Sequence, residues 1–259
     1  MESTTEAYFS NATFSIVVPF YNESENLPRL IQEIDDVLLS MKAPAEIILV
    51  DDASTDEPEK PSASPHFSIR WLRLTERSGQ SAAIYYGIQE ASGKYVILMD
   101  ADLQNDPADI PRLFEKIETD KLDLVTGIRV RREDNAVRRY SSIIANAVRS
   151  TLLRDRTTDT GCSLKIMRRE LARRLPGWNG MHRFIPSFAV AMGYTVGEIE
   201  VNHRPRVAGV SKVIGWQRAI RATVDLIGML WLTRRQFKGV PESDELPRVA
   251  PKVDDPRAS

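Results

Sequence analysis

Cysteine is almost missing from this sequence, since Cys162 is the only one among 259 residues. A single thiol excludes a disulfide bond within the chain. The scarcity is in keeping with a reducing compartment, where disulfides are rare. We expect Cys162 to be a small core residue.

Long apolar runs are also lacking. No stretch of about 18 uncharged apolar residues occurs, which is the length that a membrane-spanning helix needs. The start of the chain, Met-Glu-Ser-Thr-Thr-Glu, has neither the basic nor the apolar region of a secretory signal peptide. We therefore expect a cytoplasmic protein without a spanning helix.

The chain has almost no net charge, −1 at pH 7, which argues against a nucleic-acid partner. The charges are nevertheless uneven, because arginines crowd the middle of the chain and acidic residues crowd the part before it. This asymmetry suits an anionic ligand or a membrane surface near the middle. The arginines concerned are Arg129, Arg131, Arg132, Arg138, Arg139, Arg149, Arg154 and Arg156.

What the sequence does contain is an alternation of short apolar runs and helical periods. An apolar content of 42% in 259 residues supports one large α/β domain or two small ones. Strands that alternate with helices predict a mostly parallel sheet with helices on both faces. The predicted strands are Phe14–Phe20, Glu46–Val50, Ile69–Leu74, Tyr95–Met99, Leu122–Gly127 and Thr195–Val201.

The fourth of these strands leads into three oxygen-bearing side chains. Asp100, Asp102 and Gln104 follow the apolar run Tyr95–Met99 at a spacing of two. Because alternate residues of an extended chain share a face, the three side chains can converge on one point. Carboxylate and amide oxygens suit a hard divalent cation that also holds phosphates, such as Mg²⁺ or Mn²⁺. The carboxyl end of a parallel strand is also where open α/β sheets place their ligands.

Four blocks stand in order along the chain: Val17–Leu27, Val50–Asp56, Asp100–Gln104 and Arg206–Lys212. Together they resemble the inverting family 2 glycosyltransferases. Within that family they resemble the polyprenyl-phosphate glycosyltransferases, the group of the dolichyl-phosphate mannosyltransferases. The resemblance covers residues 13 to 232 and implies the GT-A fold, a Rossmann-like α/β sandwich.

Two shorter blocks, Arg77–Gln80 and Asp159–Leu164, are similar to transferases of the undecaprenyl-phosphate aminoarabinose type. The resemblance implies transfer of mannose or another hexose or pentose from a GDP-sugar or a UDP-sugar. The acceptor would be a polyprenyl phosphate, such as dolichyl or undecaprenyl phosphate, at the cytoplasmic face of the membrane, with inversion at the anomeric carbon. Mg²⁺ or Mn²⁺ is the implied cofactor, with Asp102 and Gln104 as ligands and Asp100 either sharing the metal or contacting the ribose. The choice between GDP and UDP stays open.

The resemblance also implies a donor pocket at the ends of the first, second and fourth strands. An aromatic and a carboxylate after the first strand would hold the nucleobase and ribose, and Asp52 would accept a hydrogen bond from a base N–H. The residues expected to bind the nucleotide-sugar are Pro19, Tyr21, Glu23, Val50, Asp52, Gln80, Asp100, Ala101 and Asp102.

A lipid phosphate is already an anion at neutral pH, so it requires cations to hold it rather than a general base to activate it. Arg129, Arg206 and Lys212 stand where the resembling family places phosphate-binding residues, and with Asp102 they are the expected catalytic residues. Arginine suits bidentate phosphate recognition and lysine a point-charge contact. Asp159 is expected on the acceptor side, either as a general base for a hydroxyl acceptor or as a group that orients an arginine or a loop.

The last helical stretch, residues 213–235, carries tryptophans and basic flanks, but charged residues interrupt it. It either lies in the membrane interface, which would mean peripheral membrane association, or packs on the domain or in a homodimer. A separate membrane-anchoring protein is a further expected partner. We expect a GT-A domain at 13–212, with a nucleotide-sugar-binding half at 13–127 and an acceptor half at 128–212. A flexible N-terminus at 1–12 would precede it. The amphipathic helix at 213–235 and a disordered tail at 236–259 would follow it.

Two other functions stay open at this point. One is a family 2 glycosyltransferase that acts on a hydroxyl of a saccharide or lipid, with Asp159 as its base. The other, of a different class, is a nucleotide-sugar-binding protein without turnover. The presence of both Asp102 and Gln104 argues against it.

Overall fold

The computed structural model describes residues 13–61, 67–129, 152–153, 155, 157–204 and 215–235. The strands are β1 Phe14–Phe20, β2 Ala45–Asp51, β3 Ser68–Arg73, β4 Tyr95–Leu98, β5 Leu124–Arg129, β6 Lys165–Arg168 and β7 Val196–Val201. The helices are α1 Leu27–Met41, α2 Gln80–Glu90, α3 Ile110–Thr119, α4 Arg169–Arg174, α5 Ile185–Ala191 and α6 Gly215–Arg234, with 3₁₀ turns at Pro107–Asp109 and Met181–Arg183.

Several predictions fall outside the described residues. The expected flexible N-terminus at 1–12 and the expected tail at 236–259 lie there, as do Arg206 and Lys212. The division of the GT-A domain into a nucleotide-sugar half and an acceptor half stays a prediction.

The strands form one sheet in the order β3-β2-β1-β4-β6-β5-β7. Neighbours from β3 to β4 pair in parallel, and so do β5 and β7. Phe20 at the end of β1 lies opposite Asp51 at the end of β2, and Val17 lies opposite Leu98 of β4. The carboxyl ends of these strands therefore meet at one edge, which brings together the polar residues that follow them. The predicted mostly parallel α/β fold is confirmed.

The sequence does not predict β6, which lies between β4 and β5 and runs antiparallel to both. Its four residues, Lys165–Arg168, begin and end with a charged side chain, so neither a continuous apolar run nor an alternation marks it as a strand. Lys165 lies opposite Leu98, the last residue of β4. Because β6 follows residues 159–164 directly, it carries that segment to the end of β4, next to Asp100.

Apolar clusters cover both faces of the sheet, as strands buried on both sides require. Leu30 and Ile34 of α1 are fully buried on one face, where α3 also packs. The other face is covered by α2, α4 and α5. Burying one such aliphatic side chain contributes about 1.5–3 kcal/mol to stability. With both faces covered, the strand ends are the part of the sheet that is open to a ligand.

Helix α2 approaches the sheet closely at Gly87. A Cβ atom added there would lie 2.4 Å from Cγ1 of Val17 and 3.0 Å from Cγ2 of Val50. Only glycine allows this approach without displacing a strand side chain. Helix α2, which begins at Gln80, is thereby packed closely against β1 and β2.

Helix α6 has one packed and one exposed apolar side. Met229 is buried in the cluster that α2 and α5 cover, whereas Val224, Ile227 and Trp231 are 62%, 62% and 59% exposed. Among the described residues, no helix has both the length and the apolar character needed to cross a membrane.

Candidate active site

The ends of β1, β2 and β4, together with the start of α2, enclose a cleft of about 200 Å³. Polar residues follow all three strands, so four of the ten residues in its wall are carboxylates. The cleft is lined by Pro19, Phe20, Tyr21, Glu23, Asp52, Gln80, Ala83, Asp100, Ala101 and Asp102.

The residues predicted to bind the nucleotide-sugar all line this cleft except Val50. Val50 is fully buried in β2, within the apolar core. Phe20 and Ala83 line the cleft without having been predicted. In the sequence Phe20 is only the last residue of an apolar run, and Ala83 is one helical residue among several. The structure thus brings the predicted residues together, and their contacts with a ligand stay predictions.

At one end of the cleft, Asp52 holds the turn that precedes α2. The Ser78 N–H donates to Asp52 Oδ1 at 2.7 Å, and the Gly79 N–H is shared between Oδ1 at 3.0 Å and Oδ2 at 2.8 Å. Gly79 has a φ of 89°, which glycine adopts without strain. The guanidinium of Arg77, the residue before Ser78, lies 4.0 Å from the ring centroid of Tyr21. An aromatic ring and a buried carboxylate therefore stand side by side at this end.

At the other end stand the paired carboxylates of Asp100 and Asp102. Gln80 Nε2 donates to Asp100 Oδ1 at 2.6 Å, and the Gln104 N–H donates to Asp102 Oδ1 at 3.2 Å. Burial and the charge of Asp102 raise the pKa of Asp100 to about 6, although nearby hydrogen-bond donors and a buried lysine lower it. Two carboxylates that repel each other in this way favour a bound positive charge.

The donor set at this end fits Mg²⁺ or Mn²⁺, because it consists of oxygens alone. Among the described residues, no group of three or more histidine, cysteine, aspartate or glutamate side chains forms a site by itself. A divalent ion beside Asp100 and Asp102 would take its other ligands from water and ligand phosphates, as Mg²⁺ usually does. Gln104, predicted as a ligand, stands two residues after Asp102 but does not line the cleft.

At the end of β5, the structure joins two residues that the sequence analysis treats separately. Arg129, the last residue of β5, donates from Nε and Nη2 to Asp159 Oδ2 and Oδ1, each at 2.8 Å. The Arg129 backbone N–H also donates to Asp159 Oδ2 at 3.2 Å. The side chains are 15% and 9% exposed. Of the two roles predicted for Asp159, this geometry matches the orientation of an arginine.

Comparison with known proteins decides the family. Residues 15–175 match the model described as Glycosyl transferase family 2. The chain belongs to glycosyl transferase family 2. It is thus a glycosyltransferase, as the resemblance of its sequence blocks predicts.

Curated relatives of this glycosyltransferase have polyprenyl phosphates in their names. It is 36% identical over 227 residues to the dodecaprenyl-phosphate galacturonate synthase of Rhizobium johnstonii, covering 85% of this chain and 67% of the relative. It is 34% identical over 223 residues to the undecaprenyl-phosphate 4-deoxy-4-formamido-L-arabinose transferase of Serratia proteamaculans, covering 85% of this chain and 68% of the relative.

Solved structures confirm the GT-A fold of the glycosyltransferase. The glucosyl-3-phosphoglycerate synthase of Mycobacterium tuberculosis, in complex with Mn²⁺, UDP and glucosyl-3-phosphoglycerate, superposes with a TM-score of 0.65 at 18% identity, covering 92% of this chain and 84% of that one. A mannosyltransferase of Pyrobaculum calidifontis, in complex with GDP-Man and Mn²⁺, gives a TM-score of 0.61 at 19% identity, covering 90% of this chain and 67% of that one.

Sequence reasoning missed two charged residues that contact the segment around Asp159. Glu198 of β7 accepts the Thr158 N–H at 2.8 Å and the Asp159 N–H at 3.4 Å, and so fixes the segment that carries Asp159. Lys165 is only 2% exposed and donates from Nζ to the Cys162 carbonyl. The contacts of Glu198 span 40 and 39 residues, so no local pattern marks it, whereas the bond from Lys165 to Cys162 spans only three residues.

Lys165 interacts electrostatically with Asp100 at the cleft and with Asp159 and Arg129 at the end of β5. Burial lowers the pKa of its ammonium group, whereas the charges of Cys162, Asp159 and Asp100 raise it and that of Arg129 lowers it again. The only signal in the sequence is a lysine at the start of a short apolar run. Cys162 itself is buried, and burial raises the pKa of its thiol, so the prediction of a core residue is confirmed.

Proposed function

We propose that the chain transfers a sugar from a nucleoside diphosphate sugar to a polyprenyl phosphate, as a peripheral enzyme at the cytoplasmic face of the membrane. One observation carries the proposal: a cleft in a family 2 fold has a buried carboxylate, Asp52, at one end and the pair Asp100 and Asp102 at the other. The acceptor class rests on the names of the curated relatives.

The two ends of the cleft give the donor an orientation. A diphosphate needs positive charge, so it belongs beside Asp100 and Asp102 with a divalent cation. Such a cation supplies charge neutralisation to the departing nucleoside diphosphate. The base then lies at the far end, between Tyr21 and Asp52.

The hydrogen bonds of Asp52 favour a uridine donor. A carboxylate offers about four lone-pair positions. The N–H groups of Ser78 and Gly79 donate three hydrogen bonds to the two oxygens, two to Oδ1 and one to Oδ2, and so occupy three of these positions. One position remains, on Oδ2, and the side chain is 4% exposed, so a single further donor can approach.

The bases differ in the donors that they present to such a group. Uracil has one ring N–H between two carbonyl oxygens, which suits a single remaining acceptor. Guanine presents a ring N–H and an amino group side by side, and a carboxylate would need both of its oxygens to accept them. We therefore propose a UDP-sugar rather than a GDP-sugar as the donor.

The acceptor phosphate would be held by Arg129, which Asp159 fixes through two hydrogen bonds of 2.8 Å. A phosphate oxygen forms the new bond to the anomeric carbon while the bond to the nucleoside diphosphate breaks, so the configuration inverts. No proton has to leave the nucleophile. A general-base role of Asp159, required for a hydroxyl acceptor, is disfavoured because both of its oxygens already accept from Arg129.

Helix α6 supplies a surface for peripheral membrane contact. Val224, Ile227 and Trp231 form an exposed apolar stripe at helical spacing, and the Arg235 guanidinium lies 5.3 Å from the Trp231 ring centroid. Tryptophan and arginine at the end of an apolar stripe are typical of helices that lie in the headgroup region. The proposed location of the protein is therefore the inner surface of the membrane.

The test uses purified protein, Mn²⁺ or Mg²⁺, a short polyprenyl phosphate and a panel of UDP-sugars and GDP-sugars. We expect a glycosylated lipid phosphate with one UDP-sugar, and no product after chelation of the metal. A product formed only from a GDP-sugar would overturn the choice of base. Release of nucleotide only with soluble saccharide acceptors would overturn the choice of acceptor.

A further inference from the structure

The turn that carries Asp102 is strained. Leu103, between Asp102 and Gln104, has a φ of 61°, in the left-handed region that side chains other than glycine and asparagine rarely adopt. Leu103 is also 3% exposed, so its side chain is anchored in the core. A strained residue beside a functional group persists only when the surrounding structure holds it.

The backbone of Gln104 is held on both sides of its Cα atom. Its N–H donates to Asp102 Oδ1 at 3.2 Å, and its carbonyl accepts the N–H of Arg204 at 2.9 Å. Asn105, the next residue, forms a β-bridge with His203. The orientation of the Asp102 carboxylate is thus linked through the backbone of Gln104 to Arg204, a hundred residues later in the chain.

The Arg204 side chain fixes this link to the rest of the fold. Its Nη1 lies 2.6 Å from Glu33 Oε2 on α1, and its Nη2 lies 2.9 Å from Asp106 Oδ1. Asp106 also accepts the Ala108 N–H at 3.1 Å, at the start of the 3₁₀ turn. Although burial raises it, the pKa of Glu33 is lowered overall by its hydrogen bonds to Arg204 and Arg29. Arg204 therefore spans α1 and the segment that follows the strained turn.

We infer that Arg204 is a positioning residue that holds the Asp102–Gln104 turn in the conformation that binds the metal. Arg204 touches neither donor nor metal in this scheme, and acts through the backbone of Gln104. The inference rests on the proposed metal-dependent use of the donor. A residue that orients a metal ligand in this way typically changes metal affinity by about 10–100-fold when it is replaced.

The test is Mn²⁺ affinity, measured by electron paramagnetic resonance on the whole chain with and without UDP. We expect Arg204→Ala to weaken Mn²⁺ binding by about tenfold. Arg204→Lys keeps the charge but not the contact with two carboxylates, so its Mn²⁺ affinity should lie between those of Arg204→Ala and the parent. Glu33→Gln removes the negative charge that Arg204 contacts on α1, which weakens the same link, and should weaken Mn²⁺ binding in the same direction.

Arg168→Ala is the matched control. Arg168 is 26% exposed against 32% for Arg204, and it also joins two carboxylates, Glu118 at 3.0 Å and Asp123 at 3.8 Å, at the opposite end of β4. We expect its loss to lower the melting temperature without changing Mn²⁺ affinity.

Two results would separate the inference from the proposed function. If the parent binds Mn²⁺ and Arg204→Ala and Glu33→Gln bind it equally well, Arg204 is only a structural contact and the inference is wrong, while the proposed function stands. If the parent binds no Mn²⁺ even with UDP, the metal-dependent function fails and the inference fails with it.

Discussion

Replacing Asp159 by asparagine separates the two roles that this residue can have. Asparagine keeps one carbonyl oxygen and places an amide NH₂ where the second carboxylate oxygen now accepts from Arg129 at 2.8 Å. One hydrogen bond between charged groups is lost, which is worth about 1.5–3 kcal/mol. That range corresponds to roughly 10–150-fold in an equilibrium constant.

If Asp159 orients Arg129 for a phosphate acceptor, the loss belongs to acceptor binding. We expect the KM for a short polyprenyl phosphate to rise by about 10–150-fold, with kcat and the KM for the donor little changed. If Asp159 is a general base, kcat itself falls by about 10²–10⁴-fold. Initial rates over a grid of donor and acceptor concentrations distinguish these outcomes.

A double-mutant cycle with Arg129→Met sharpens the comparison. When Asp159 acts only through Arg129, Asp159→Asn should cost almost nothing in a chain that already lacks the arginine. When Asp159 abstracts a proton, the fold-losses in rate of the two single variants should multiply in the double variant. A double variant much slower than Arg129→Met, with the acceptor phosphate intact, would refute our assignment of Asp159.

Three other outcomes follow from the structure. Asp52→Asn should raise the Kd for UDP by roughly 10–150-fold in calorimetry, because a charged acceptor of the base N–H is lost, and an unchanged Kd would exclude that contact. Gly87→Ala should lower the free energy of unfolding by about 1–3 kcal/mol, since the new Cβ would lie 2.4 Å from a valine side chain. Gly228→Ala is the control and should not lower it, because a Cβ there would have no atom within 4 Å. Trp231→Ala should reduce sedimentation with anionic vesicles by about tenfold. Tyr86→Ala removes another exposed aromatic ring and should leave sedimentation unchanged. Equal losses of sedimentation in both variants would argue against α6 as the membrane surface.

The cleft could be predicted because each of its parts is local in the sequence. The runs that form β1, β2 and β4 are continuously apolar, and their polar residues follow at once. Parallel pairing then brings Tyr21, Asp52 and Asp102 to the same edge without any further information. Val50 is the exception, because its position at the strand end could not reveal that its side chain faces the core.

The supporting residues could not be predicted, because their contacts join distant parts of the chain. Arg204 reaches Glu33 across 171 residues, and Arg129 meets Asp159 across 30. Charged residues in a sequence are usually on a solvated face, and only the fold shows which pairs come together. The strand β6 was missed for a related reason, since its four residues become a strand only through the neighbours on either side.

The place of β6 in the sheet has a consequence for engineering. An exchange of acceptor specificity between relatives would naturally cut the chain after β5 and import everything beyond. Such a chimera would bring a foreign β6, yet it has to pair with the native β4 along Tyr95–Leu98 and the native β5 along Leu124–Thr126. A graft that retains the native Lys165–Arg168 and exchanges the segments on either side keeps both ladders, and so should fold where a simple fusion fails.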